Sequence, residues 1–185
     1  MDIGGELIRL AKEQAGPNET YLVLSAEKLA SIGTGRFDAA FCVLALQNIK
    51  NLSMAVGEMA RVLKRGGRAV VVLNHPAFRV PAASSWAYDD RANIQYRRVD
   101  GYMSELTQRV DMTQGQNDPA KKQYTYSYHH PIQVYFKAFA KSGLCVTRLE
   151  EWVSHKTSDK GPRKEAEDKA RKEIPLFMAL ELRKL

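Results

Sequence analysis

The sequence predicts an α/β fold built on a parallel sheet, and one stretch, residues 37–76, carries the three observations behind that prediction. Residues 37–46 are apolar at nearly every position, interrupted early by Asp38. That continuity suits a strand covered on both faces. From Leu52 the period changes: Leu52, Ala55, Val56, Met59, Ala60 and Leu63 recur at helical spacing and leave Glu58, Arg61 and Lys64 towards solvent. Ala69-Val70-Val71-Val72-Leu73 then returns as a short β-branched strand. Two buried strands joined by one helix form a right-handed crossover unit, so the two strands are parallel. The punctuation agrees: Asn51 is placed to cap the helix, Lys64 and Arg65 suit its negative end, and Gly66–Gly67 supplies the stop.

The remaining elements are assigned in chain order. Residues 6–12 read as an amphipathic helix ended by Gly16–Pro17, and residues 21–24 as a short strand. Residues 26–29 make a turn of helix or a loop before Gly33–Gly35. After Pro76 the character changes, and residues 77–128 are rich in aromatic and polar side chains without a long helical period. Residues 106–112 and 123–129 pair as a hairpin around the Gln114-Gly115-Gln116-Asn117-Asp118-Pro119 turn. An insertion of this length between core elements is expected to be a lid or binding loop. Ile132, Tyr135, Phe136, Phe139 and Ala140 restart a helix closed by Gly143. Residues 144–152 are a strand, 163–172 are helical in composition, and 174–182 are the last strand. The whole chain, residues 1–185, is read as a single domain with residues 77–128 as a cap inserted in it.

Composition narrows the function classes. No apolar run approaches the roughly 18 residues of a membrane span, the N-terminus lacks a signal-peptide pattern, and a cytoplasmic location is expected. Cys42 and Cys145 both fall inside predicted strands and are expected as buried, reduced thiols. No Cys/His cluster has metal-binding spacing. The net charge of +7 raises a nucleic-acid partner, but the tail that carries much of the surplus also holds Glu165, Glu167, Asp168 and Glu173. Alternating signs read as a solvated helical face, and a nucleic-acid partner is not expected.

The order "FD, apolar strand, helix ending in LKRGG, apolar strand" at residues 37–73 resembles the core of class I S-adenosylmethionine-dependent methyltransferases. It is similar to the ubiquinone/menaquinone-biosynthesis type of small-molecule enzyme. The resemblance implies a Rossmann-like sheet, mostly parallel, with an antiparallel last strand; LCVTRLEEW and IPLFMALEL resemble the family's terminal antiparallel pair. It also implies S-adenosylmethionine as cofactor, S-adenosylhomocysteine as product and a small-molecule acceptor. Asp2 resembles the acid that takes the ribose hydroxyls, a residue type explained by a paired hydrogen bond, or is simply the first residue of the first helix. Ile3 would cover an adenine face. Ser25-Ala26-Glu27 resembles the family's adenine-edge loop, with Ser25 where an acid is usual; equally, Ser25 caps the turn at Ala26. Val43, Leu44 and Gln47 would lie near the methionine moiety.

With the ribose acid at residue 2, the family's first strand and glycine loop are expected to be missing from these residues. Gly33-Thr34-Gly35 precedes a strand instead of following one and reads as a plain turn. The missing strand is normally central, so its loss is expected to leave unpaired backbone groups, self-association or pairing with a complementing strand, and weak cofactor binding. Leu44-Ala45-Leu46-Gln47 stands where amine-methylating members carry an Asn/Asp-Pro-Pro-aromatic run, which favours oxygen or activated carbon as the acceptor atom, in a molecule of aromatic or quinone-like type. His75 and His129 are the candidate bases, since histidine titrates in the useful range; His129 sits in a Tyr-His-His-Pro run that resembles a family step. Each is as readily a loop-pinning residue. Trp86, Tyr88, Tyr96, Tyr102, Tyr124, Tyr126 and Tyr128 line an acceptor cavity or form the core of the cap. Two rival functions remain at this stage: an RNA methyltransferase, and a degenerate partner subunit that keeps the fold without the cofactor.

Overall fold

The computed structural model describes residues 1–113 and 115–185. Its centre is a four-stranded sheet in which β1 (Phe37–Val43), β2 (Leu63–Asn74), β8 (Phe177–Lys184) and β7 (Leu144–Trp152) lie in the order β1-β2-β8-β7. β1 and β2 pair in parallel, and β8 is antiparallel to both neighbours. Three strands therefore point one way and the last strand opposes them, as expected from the sequence. The register sets Ala69 opposite Leu182, Val71 opposite Leu180 and Leu73 opposite Met178, and these six side chains form one fully buried face. Helices α2 (Leu52–Val62) and α3 (Ile132–Lys141) cover that face with Val56, Ala60, Tyr135 and Phe139. Helix α1 (Gly5–Glu13) precedes the sheet, and α4 (Lys164–Glu173) packs on the insertion described below.

Four expectations need correction. Strand β1 ends at Val43 and is not covered on both faces: Phe41 is 74% and Val43 59% exposed, because β1 is the edge of the sheet. Residues 21–24 do not form a strand of this sheet; Val23 makes an isolated parallel bridge with Asp2. Helix α2 stops at Val62, and Leu63 is already extended (φ −74°, ψ 142°), so Lys64 and Arg65 belong to β2 instead of the helix. The cause lies in the glycine pair. Gly66 takes φ +76° and produces the irregularity by which Phe37 pairs with Leu63 but Ala39 with Arg68. Cys145, on edge strand β7, is exposed instead of buried, while Cys42 is partly buried; both are free thiols.

Gly67 is the tighter of the two positions. A Cβ there would come 2.8 Å from the Lys64 carbonyl and 3.2 Å from that of Asp38, both backbone atoms that cannot swing away. Gly67→Ala is therefore expected to destabilise the chain by about 1–3 kcal/mol. Urea denaturation reads this directly, and a midpoint equal to that of the unsubstituted chain would show that the turn relaxes freely.

The loop before β1 is fastened to α2 by a side-chain staple. Arg61 donates to Glu58 and to the carbonyls of Leu29 and Ile32 (2.8–2.9 Å), and the Leu29 amide donates to Glu58 Oε2 (2.6 Å). The Arg61 guanidinium holds the Glu58 carboxyl below its ordinary value.

Residues 84–129 hold two hairpins that are not hydrogen-bonded to the main sheet: β3 (Ser84–Asp89) with β4 (Ile94–Val99), and β5 (Leu106–Asp111) with β6 (Tyr124–His129). The second was legible in the sequence, except that Gln114 of its turn lies outside the described residues. The first was not assigned. Strand β6 packs on a short 3₁₀ turn, Leu46–Asn48, that follows β1, and α4 packs on β4.

Candidate functional site

In an open α/β sheet, ligands bind outside the carboxyl ends of the parallel strands, and here that edge carries most of the residues singled out from sequence. Leu44, just past β1, adopts φ 51° and donates its amide to the Val72 carbonyl (2.8 Å). This left-handed turn is costly for a branched side chain and redirects the chain sharply into the 3₁₀ turn. The Leu44 carbonyl accepts from Gln47 Nε2 (2.9 Å), which fixes the orientation of the Gln47 amide. Gln47 Oε1 is consequently a buried acceptor without a partner among the described residues. Such atoms are rare and point to a donor supplied by water or ligand. Val43 and Leu44 are exposed beside it.

The nucleoside-end candidates meet at the neighbouring loop. The Asp2 amide donates to the Leu22 carbonyl (3.2 Å) and the Leu24 amide to the Asp2 carbonyl (3.0 Å), bringing Asp2 within two residues of Ser25 along the paired segment. Asp2 Oδ1 accepts from the Gly4 amide (2.7 Å) at the entry to α1, and its second oxygen makes no hydrogen bond among the described residues. Ile3 is 75% exposed. Ser25 Oγ accepts from the Glu27 amide (3.2 Å), so it does shape the turn over Ala26, which packs against the core. Glu27 Oε1 accepts from the Asn51 amide (2.7 Å), tying this loop to the start of α2, while the Asn51 side chain caps that helix through the Met54 amide (3.1 Å).

The two candidate bases have different surroundings. His75 is buried; its Nδ1 accepts from the amides of Ala77 (3.2 Å) and Phe78 (3.4 Å), so the proton sits on Nε2 and is donated to Glu151 Oε1 (2.8 Å). Both nitrogens are committed. His129, at the end of β6, donates Nε2–H to the Tyr102 carbonyl (2.7 Å), which leaves the lone pair on Nδ1. Burial pushes His129 below its ordinary value, outweighing the bond to Tyr102. It is thus a neutral imidazole with one open acceptor nitrogen. His130 donates from Nδ1 to Glu105 (3.2 Å), and its buried Nε2 has no partner among the described residues.

The aromatic residues of the insertion do not share one cavity. Trp86 lies under Arg97, Tyr88 under Arg163 and Tyr124 under Arg109. Tyr96, Tyr124 and Tyr126 are exposed, with Tyr126 and Tyr128 ring centroids 6.4 Å apart. Tyr102 accepts the Ile132 amide at its hydroxyl (3.0 Å) and so anchors the start of α3. Sequence reasoning passed over Arg79 and Arg97, since an isolated arginine carries no pattern of its own. Among the described residues no group of His, Cys, Asp and Glu is placed to hold a metal, and no helix is long and apolar enough to cross a membrane. A depression of about 610 Å³ is lined by Gly57, Ala60, Ala138 and Lys141 along the α2–α3 groove, away from the strand ends.

With this geometry in place, the likenesses to other proteins fall into line. Residues 1–71 match the family described as "Methyltransferase domain". The chain is 34% identical over 77 residues to the ubiquinone/menaquinone biosynthesis C-methyltransferase UbiE of Rhizobium johnstonii, covering 39% of this chain and 30% of that protein. It is 33% identical over 91 residues to the ubiquinone biosynthesis O-methyltransferase of Xanthomonas oryzae pv. oryzae, covering 47% of this chain and 36% of that one. The chain therefore spans about a third of the length of the curated relatives it matches. In fold it is similar to a crystal structure of an S-adenosylmethionine dependent methyltransferase from Mesorhizobium loti (TM-score 0.70, 20% identity, 98% of this chain and 77% of that one). A Listeria monocytogenes structure is similar over 99% of this chain and 78% of its own (TM-score 0.74, 20% identity).

Proposed function

We propose that this chain is a class I S-adenosylmethionine-dependent methyltransferase that transfers a methyl group to oxygen or activated carbon of a small molecule, a reading supported by its likeness in fold and by the family match of residues 1–71. The observation that carries the reading is the Asp2–Val23 bridge, which brings a free carboxylate oxygen, the exposed Ile3 and the Ser25 loop to one place. That set suits the nucleoside end of the cofactor: Asp2 for ribose hydroxyls, Ile3 for an adenine face, Ser25 Oγ for a donor on the adenine edge. Val43, Leu44 and the orphaned Gln47 Oε1 would lie towards its methionine end. When bound, the cofactor supplies an electrophilic methyl group.

The chain's own part is placement and proton handling. His129 takes the acceptor's proton at Nδ1, the nitrogen left open by its bond to Tyr102. His75 acts through position: its bonds to Glu151 and to the Ala77 and Phe78 amides fix the loop leaving β2. The two hairpins of residues 84–129 form the cap, the second resting on the turn that holds Gln47 and excluding water from the reacting atoms. The open edge of β1 is a pairing surface for a further strand.

No glycine-rich turn follows a sheet strand to meet the amino-acid end of the cofactor among the described residues. Two missing charge-assisted hydrogen bonds at about 1.5–3 kcal/mol each weaken a micromolar binder about a thousandfold, which puts the expected dissociation constant of these 185 residues near 1 mM. Ligand-observed NMR titration with S-adenosylhomocysteine tests this, and Asp2→Asn is expected to weaken binding about tenfold further. Absence of binding at ten times that concentration, or equal binding by Asp2→Asn, would remove the nucleoside site.

A further inference from the structure

Two arginines, Arg79 and Arg97, are held on the loop that follows the carboxyl end of β2. Arg79 closes a turn on the loop after β2, its amide donating to the His75 carbonyl (2.8 Å). Its guanidinium lies over the Phe177 ring, 5.1 Å from the centroid, and Phe177 is the register partner of Asn74, the last residue of β2. Arg97, on β4, reaches the same loop: Nε donates to the Phe78 carbonyl (2.6 Å) and Nη2 to Ser84 Oγ (2.8 Å), while its plane lies over Trp86 at 5.3 Å. Among the described residues neither arginine has a carboxylate within ion-pair distance. Glu151, on the neighbouring strand β7, is bound to His75.

This arrangement is unfavourable as it stands. Burial pushes both groups below their ordinary values, and the charge of Arg79 lowers Arg97 further, so the two are close enough to repel. Partly buried cations are favoured by a carboxylate or phosphate partner, and a guanidinium presents a planar fork matched to an oxyanion. The rings of Phe177 and Trp86 hold the guanidinium planes in place, so little reorganisation is needed on binding. Arg97 keeps Nη1 for a ligand, and the side chain of Arg79 makes no hydrogen bond among the described residues.

We propose that Arg79 and Arg97 form an anion subsite that holds a carboxylate or phosphate of the methyl acceptor, which makes the acceptor an acidic small molecule. The word acceptor rests on the methyl-transfer reading; the anion site itself does not. Its position beside the Asn74-His75-Pro76 end of β2 puts the charged group on the cap side of the strand ends, with β4 supplying one of the two cations.

The test uses the whole chain without cofactor, at low salt, in ligand-observed NMR titrations with benzoate, phenyl phosphate and benzyl alcohol. Benzoate, phenyl phosphate or both are expected to bind at least about tenfold more tightly than benzyl alcohol, and the stronger of the two identifies the oxyanion. Arg79→Gln is expected to weaken that anion about tenfold or more, with Arg79→Lys intermediate, because a point charge replaces the fork. Melting curves establish that the variants fold. Should Arg79→Gln not fold, the loss on raising salt from about 20 to about 200 mM, several-fold for an ionic contact, serves in its place. Equal binding of benzyl alcohol, equal binding of the anions by Arg79→Gln, or salt-independence would overturn the subsite. A variant that loses S-adenosylhomocysteine instead of the anions would overturn the assignment to the acceptor. Failure of methyl transfer with anion binding intact would count against the proposed function alone.

Discussion

His129→Gln is expected to lower the methyl-transfer rate about 100-fold or more, the loss that follows removal of a positioned general base. Binding of S-adenosylhomocysteine should stay unchanged, because the proposed role of His129 is toward the acceptor and not the cofactor. Glutamine retains a donor for the Tyr102 carbonyl, so the cap should remain seated and the loss should fall on catalysis. The pH profile separates this role from a structural one. Burial lowers His129 below its ordinary value of 6.5, so the imidazole is neutral and competent down to more acidic pH than a free histidine. The rate should therefore rise with pH through a midpoint below 6.5 and show no further His129-dependent rise above it. The linked stability has the same sign. A depressed histidine contributes fully above its unfolded value and loses that contribution as pH falls through the folded one. A His129→Gln variant with an unchanged rate, or with the acid limb intact, would sink the assignment.

The central β1-α2-β2 unit was legible because its hydrophobic period changes from continuous to helical and back within forty residues, a local signal that tertiary packing does not override. β7, α3 and the β5–β6 hairpin were legible for the same reason. What failed depended on neighbours distant in sequence. Whether an apolar run such as residues 37–43 is central or an edge is decided by what lies beside it, and the run itself reads alike in both cases. The β3–β4 hairpin was hidden in a different way. Its turn is set by Asp89, whose carboxylate accepts from the amides of Arg91 and Ala92, and by Asn93 at φ 52°. That Asp-to-Asn spacing is a turn signal the sequence does contain. For the candidate site residues, the sequence carries their types but not their hydrogen-bonded states. Nothing in the run Tyr128-His129-His130 tells that one histidine keeps an open nitrogen, since that follows from Tyr102, 27 residues away. The Arg79–Arg97 pair is wholly tertiary: it exists because β4 folds back over the loop after β2.

These 185 residues are expected to self-associate weakly through β1, and salt should strengthen the association. The Leu44 amide points to Val72, and alternation along a strand then turns the amides of Ala39, Phe41 and Val43 away from β2, towards solvent. An edge of unpaired donors and acceptors flanked by apolar side chains is a template for another strand. Magnitudes decide how strong the pairing is. Burying Phe41 and Val43 in each of two copies is worth about 1.5–3 kcal/mol per side chain, against an association cost of about 4–15 kcal/mol. The two ranges nearly cancel, so the pairing is weak, with a dissociation constant in the millimolar range or above. The net charge of +7 opposes the approach of a second copy, so raising ionic strength should favour pairing by screening that repulsion. Sedimentation velocity across this concentration range should show a mass-average that rises with protein and with salt. Phe41→Lys, which places a charge on the 74% exposed position, should hold the chain monomeric without lowering its melting temperature. A chain that sediments as a monomer at the highest concentration in high salt would show that the β1 edge is not a pairing surface, and would remove the strand-complementation part of the proposed function with it.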